Sequence, residues 1–305
     1  MGDEGEMEVY ILNYIPEAEK ITASIAWSSI SLFCAPEYES MLKEKDIEKM
    51  FKLARKMKLS SVLDFPYYII SFKDVSRSFT HQWVRYRIAA HVQQSLRFTE
   101  IDTKLKNGKP WFVIPPMILQ NSVDVIVKYI KSQISAGRAY RELIKKGIPA
   151  EDARFTLPIG VKTHISSAMD AEELLHVIDQ RTCFDAQWEI RSATYALLSG
   201  LYAVSPKIFK NAGPYCVSER VCRGRQNGRC YHEAKLLTEN MIKIGEKFRE
   251  MMKDARLGEY ISMDLTDILG YRVPEDKKKE VWEALGYELD IDYCVTLHIR
   301  KVADI

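Results

Sequence analysis

The stretch THQWVRYRIAAHVQQSLRF, Thr80–Phe98, packs three arginines (Arg85, Arg87, Arg97), three glutamines (Gln82, Gln93, Gln94) and Ser95 into nineteen residues without one carboxylate. On a helix, Gln82 and Arg85 share one face and leave Phe79, Trp83 and Tyr86 for the core. Arg85 and Arg87 are two apart, so both reach one ligand only if the helix ends between or just after them. AAHVQQSLR is then expected as a loop whose backbone N–H groups, with Ser95 and Arg97, surround a phosphate. Arginine suits that role because its planar fork makes paired bonds to phosphate oxygens, and hydroxyls or backbone donors complete the shell. A solvated basic helix face with carboxylate partners elsewhere fits the same spacing.

Outward from this stretch the chain alternates strand and helix patterns. MEVYILN (7–13) and PYYIISFK (66–73) read as strands, and Asp74 and Ser76 are candidate caps for the helix that follows. Residues 40–58 carry apolar side chains at helical spacing. The polar turn KLKNGK and the proline-bounded PWFVIPP, within 99–116, suggest a hairpin. A long helix is expected over about 121–146, closed by Gly147, and Asp170 with Glu173 forms a capping-box pattern for another. AQWEIRSATYALLSGLYAV continues helically to Pro206. Beyond it come a basic loop (GPYCVSERVCRGRQNGRC), an amphipathic helix, a short helix (DKKKEVWEALG) and a last strand (YCVTLHIRKV). Without a glycine-rich strand-to-helix turn, this order argues for α+β and against a dinucleotide-binding unit. The expected division is a main domain over 1–206 and an appended region over 207–305.

The 305 residues, 47% hydrophobic and 28% charged, are ordinary globular composition. A formal net charge of +2 provides no global field for a polyanion, so nucleic acid is not an expected partner. No apolar run is long enough to span a bilayer and the start MGDEGEMEVYIL is acidic, so a cytoplasmic protein is expected. Six cysteines are too few for a secreted disulfide scaffold and read mostly as thiols.

RYRIAAHVQQSLRF, preceded by HQWV, resembles the signature of the flavin-dependent thymidylate synthases, roughly R-H-R-x-x-S-x-N-E-x-S-x-R-Y. SSVLDF (60–65) is similar to that family's S-V-L-E-H segment. EDAR (151–154) resembles its arginine-bearing segment, and ELLHVIDQRTCFDAQWEIR (173–191) its L-L-x-F-x-x-L-R-x-x-x-x-A-Q-W-E-I-R block. Four blocks in the family's order, over roughly residues 20–200, are more specific than any one motif.

The resemblance implies a twisted, mainly antiparallel sheet flanked by helices, and conversion of dUMP to dTMP. Methylenetetrahydrofolate is the implied carbon donor and FAD, reduced by NADPH, the hydride carrier, in a homotetramer with FAD where subunits meet. By matched position, Gln82, Arg85, Gln94, Ser95, Arg97, Arg154 and Arg181 would bind dUMP. Ser61, Asp64, Arg85, Tyr86, Arg87 and His176 would contact the cofactor, and Arg181 and Ser95 fall at catalytic positions. No adjacent base marks Ser95 as a nucleophile. Taken alone, Arg154 fits a short-helix cap, Arg181 a partner of Asp179 or Asp185, His176 a core histidine and Ser95 a turn residue.

Departures from the pattern are several. Tyr86, Ala90, Val92, Gln93 and Phe98 replace histidine, serine, asparagine, glutamate and tyrosine of the signature, and Leu59 and Phe65 stand where histidines flank S-V-L-E. Asp170 and Glu172 fall where an asparagine and an arginine meet the cofactor, so Glu172 sets a carboxylate near the FAD diphosphate. These losses motivate a competing reading, a noncatalytic nucleotide-binding or partner-binding paralogue. Cys216, Cys222, Cys230 and His232 form C-x5-C-x7-C-x-H, which lacks the short C-x2-C knuckle of zinc sites, so free thiols are favoured over metal.

Overall fold

The computed structural model describes residues 7–57, 59–105 and 107–303, the side chains of 55–57 excepted. The acidic opening at 1–6, Lys58 in the predicted helix and Lys106 in the predicted turn lie outside the described residues.

Strand β1 (Met7–Tyr14) leads into helices α1 (Ala18–Ser28), α2 (Ala35–Met41) and α3 (Glu44–Met57) and a 3-10 turn at Ser60–Asp64. Then come β2 (Tyr67–Ser76), α4 (Arg77–Trp83), β3 (Ala89–Gln93), α5 (Pro116–Leu119), α6 (Val123–Lys145) and α7 (Ala150–Ala153). The second half holds β4 (Lys162–Asp170), α8 (Ala171–Arg181), α9 (Trp188–Val204), α10 (Pro206–Phe209), α11 (Tyr215–Ser218) and α12 (Tyr231–Asp254). It closes with β5 (Tyr260–Asp264), α13 (Thr266–Leu269), α14 (Glu275–Leu285) and β6 (Val295–Arg300).

One sheet of six strands runs β3-β4-β2-β1-β6-β5. Every pairing is antiparallel except β1 with β6, where Met7 stands opposite Val295. The architecture is therefore α+β with a mainly antiparallel sheet. β1 and β6 alternate buried apolar residues (Val9, Ile11; Val295, Leu297, Ile299) that form the centre of the core.

Helix α9 is the internal axis, apolar nearly all round because it is covered on both sides. At Gly200 an added Cβ would lie 2.5 Å from Ile11 Cδ1, and at Gly245 of α12 it would lie 2.6 Å from Ser199 O. Gly200 thus leaves room for the Ile11 side chain of the sheet, and Gly245 lets α12 approach the α9 backbone directly. The segment 207–305 supplies α12 to this stack and β5 and β6 to the same sheet.

Two expectations are corrected. AAHVQ is not loop: it forms β3, with Ala89 opposite Met169 and Gln93 opposite Ile165. The expected hairpin within 99–116 reduces to an isolated bridge, Phe112 to Val161. Pro110, Pro115 and Pro116 remove ladder donors there, and Trp111 and Phe112 turn into the core instead. β4 and β5 were not anticipated at all.

Candidate functional site

Helix α4 starts at a double anchor. Ser76, its N-cap, accepts from Phe79 N (3.0 Å), while its own N–H and hydroxyl donate to the two carboxylate oxygens of Glu189 at 2.6 and 2.5 Å. Glu189 is buried on α9, and that burial raises its pKa. Phe79 and Trp83 then pack against Phe72 of β2, tilted and edge-on, at centroid distances of 5.0 and 4.6 Å. The helix ends at Trp83, two residues before Arg85 and not between or just after the two arginines as their spacing suggested, so Arg85 and Arg87 both fall on the turn after it. Both are exposed and have no hydrogen-bond or ion-pair partner among the described residues.

His91 closes that turn onto β4. Its Nε2 lies 2.8 Å from the Tyr86 carbonyl and its Nδ1 2.8 Å from Ser167 Oγ, which also accepts from Trp83 Nε1 at 2.9 Å. A carbonyl can only accept, so Nε2 carries the proton and the Ser167 hydroxyl donates to Nδ1. Sequence reasoning gave His91 no role.

One group of predicted residues meets at the turn after β3. Arg97 Nε donates to Glu151 Oε2 at 3.0 Å, Arg154 Nε to the Glu151 carbonyl at 3.0 Å, and Ser95 Oγ accepts from Arg97 N at 3.2 Å. Arg77, absent from the sequence prediction, donates to the Gln94 carbonyl at 3.4 Å. Burial, and then the neighbouring Arg154 charge, lower its pKa. Three guanidiniums crowd this turn with one carboxylate, Glu151, bonded among them.

A second group lies between the α4–β3 turn and α8. Arg181 Nε donates to Tyr86 Oη at 2.7 Å, and Tyr86 Oη donates to Gln180 Oε1 at 3.0 Å. The Gln180 amide nitrogen lies 3.0 Å from His176 Nε2, which accepts. Donation runs one way, Arg181 to Tyr86 to Gln180 to His176, and Tyr86 meets His176 edge to face at 6.0 Å. Burial raises the Tyr86 pKa, keeping the phenol neutral. No hydrogen bond, ion pair or ring contact joins this group to the first among the described residues.

The remaining predicted residues stand apart. Gln82 Nε2 donates to Ser78 O of its own helix at 3.3 Å, and Ser61 is exposed on the 3-10 turn. Asp64 lies near Asp170 and Glu172, whose pKa values are raised first by burial and then by the Asp64 charge, with Asp170's cap bond to Glu173 N opposing it. Cys216, Cys222 and Cys230 line a cavity with Cys183, and His232 is not on its wall. No three His, Cys, Asp or Glu side chains among the described residues are placed to hold one metal ion. No helix among them is long and apolar enough to cross a membrane.

Fold and site together define an α+β protein with two arginine-centred polar clusters near one sheet edge. A family profile described as thymidylate synthase complementing protein matches residues 10–207. The flavin-dependent thymidylate synthase of Sulfolobus acidocaldarius is 35% identical over 212 residues, covering 69% of this chain and 78% of that relative. The one of Geobacter sulfurreducens is 31% identical, covering 70% and 89%. Among solved structures, the UMP/dUMP methylase PolB from Streptomyces cacaoi, bound with 5-Br dUMP, matches with a TM-score of 0.59 at 15% identity, covering 68% of this chain and 94% of that one. That likeness concerns the fold. The chain belongs to the family of the flavin-dependent thymidylate synthases.

Proposed function

We propose that this protein converts dUMP to dTMP, with methylenetetrahydrofolate as carbon donor and NADPH as reductant, using FAD. The observation that carries the reading is the crowding of Arg77, Arg97 and Arg154 around the Gln94–Arg97 turn against the single Glu151 carboxylate. A nucleotide phosphate supplies the missing negative charge, and Ser95 adds a neutral donor. Glu151 holds the Arg97 fork until the phosphate takes its place.

The donor chemistry fits a flavin dinucleotide at Arg85 and Arg87, whose exposed forks suit a diphosphate. The acidic corner of Asp64, Asp170 and Glu172 does not seat one. When bound, the flavin supplies hydride transfer, and the chain's own groups position and polarise.

Arg181 is the residue for the pyrimidine. Negative charge develops on the uracil as C5 becomes nucleophilic, and a preorganised guanidinium stabilises it. The bond from Arg181 Nε to Tyr86 Oη fixes the guanidinium plane and leaves its terminal nitrogens without a partner among the described residues. Ser95 binds and orients and does not attack.

The site residues fall into two groups on one chain, which supports completion by a second copy in a homotetramer. The outer edge of β3, unpaired among the described residues, carries exposed Ile88 and Val92 beside it, as such a contact needs. Six free thiols support a reducing, cytoplasmic setting.

Tritium release from dUMP labelled at C5, with FAD, methylenetetrahydrofolate and NADPH under anaerobic conditions, tests the reading. Release is expected, falling about 100-fold or more in Arg181→Ala, the scale for losing a positioned charge-stabilising donor. No release from folded protein that still binds dUMP would leave a nucleotide-binding paralogue instead.

A further inference from the structure

Four of the six cysteines meet in one place. Cys183 follows α8, Cys216 lies on α11, Cys222 on the loop after it, and Cys230 at the start of α12; together they line a cavity of about 360 Å³. The sequence pattern showed three of them; Cys183, thirty-three residues before Cys216, was invisible as a partner. All four are free thiols.

Cysteines are mostly buried singly as small apolar residues, so four sulfurs on one cavity wall call for a ligand. One zinc ion would need its thiolates within about 4 Å of each other, given Zn–S bonds of about 2.3 Å in a tetrahedron. No such close group exists among the described residues. A polynuclear centre bound by four thiolates holds them further apart around a volume of its own.

The surroundings suit an anionic sulfur centre. Gly228 N donates to Cys222 Sγ at 3.1 Å, the kind of backbone bond that tunes cluster sulfurs. Arg181, Arg223 and Arg225 share the cavity wall, and Arg191 is close enough for its charge to interact with Cys183 and Cys230. At Gly224 an added Cβ would lie 3.3 Å from Cys183 Sγ and 2.7 Å from Asp185 Oδ2, so the loop lies against the cavity where a side chain would intrude. Asp185 accepts from Arg225 N and anchors that loop.

We propose that Cys183, Cys216, Cys222 and Cys230 ligate an iron–sulfur cluster in the cavity they share. The cluster fastens the 213–230 loop to the end of α8, which carries Arg181. The inference stands independently of the proposed reaction, because its readout is composition.

The test is purification without oxygen, followed by reconstitution of the full chain with ferrous iron and sulfide and removal of unbound metal. Iron, acid-labile sulfide and zinc are then measured per chain, apart from flavin. About two or about four irons with equal sulfide are expected. Cys216→Ser combined with Cys230→Ser should lose at least three quarters of both, while Cys34→Ser, at the exposed N-cap of α2 and not on the cavity wall, keeps them. A chain free of iron and sulfide after reconstitution, about one zinc per chain, or iron retained in the double variant would overturn the proposal. The wild-type composition decides the matter even if the double variant fails to fold.

Discussion

Tyr86 occupies the position where the related signature has a histidine, and its hydroxyl is the middle link between Arg181 and Gln180. A phenol can accept from a guanidinium and donate onward at once, so this replacement keeps a polar connection at the site. The same neighbourhood holds Asp179, two residues before Arg181. Burial, aided by Glu219 and Glu172 and opposed by the hydrogen bond from Ser218, lifts its carboxyl to about 6. The folded protein therefore holds this proton more tightly than the unfolded chain. That contribution to stability is full below the unfolded value of 3.8 and is lost as pH rises through about 6. Asp179→Asn, which stays neutral, should gain on the wild type by on the order of 1 kcal/mol between about pH 4.5 and about pH 7.5, with the shift discounted for the group's partial exposure. Urea midpoints at the two pH values measure it, and an unchanged difference would exclude the effect.

At the scale of elements, α4 depends on Ser76. Its hydroxyl caps the helix and also supplies a bond to the buried Glu189 carboxylate, so Ser76→Ala loses a cap and leaves a buried oxygen short of a donor. A loss of about 1–3 kcal/mol is expected as a lower urea midpoint with unchanged slope, and less than about 0.5 kcal/mol would mean Glu189 finds another donor. This cap was legible in the sequence, as were β1, β2, α6, α9 and β6, because each shows its own periodicity or punctuation. β3 and β4 were not. The β4 run KTHISSAMD looks polar because Ser167 is buried for its bonds to Trp83 and His91, partners 84 and 76 residues away. In β3, Gln93 is likewise bonded to Thr80 of α4. Arg97 and Arg154 were legible by residue type and resemblance, whereas Arg77 and Glu151 belong to the site only through the folded chain's meeting of α4, the β3 turn and α7.

The whole molecule has one well-covered face and one unfinished edge. β6 enters beside β1 as a parallel strand and β5 covers it, so the last hundred residues complete one end of the sheet. At the other end β3 pairs with β4 alone among the described residues, and Ile88, Val92 and Phe98 are 63%, 75% and 83% exposed. Large apolar side chains along an open edge strand attract a second chain, and a lone protein normally blunts such an edge with charge or proline. Arg85 and Arg87 leave the same turn without partners among the described residues. A copy docked on the β3 edge would cover the apolar residues and close the proposed flavin site at Arg85 and Arg87 in one step. Val92→Asp should therefore lower the mass measured by light scattering and weaken flavin retention about tenfold or more. Val221→Asp, on the basic loop and 50% exposed, should change neither. An unchanged mass with unchanged flavin in Val92→Asp would show that this edge stays open, and that Arg85 and Arg87 must meet their anion without a second chain.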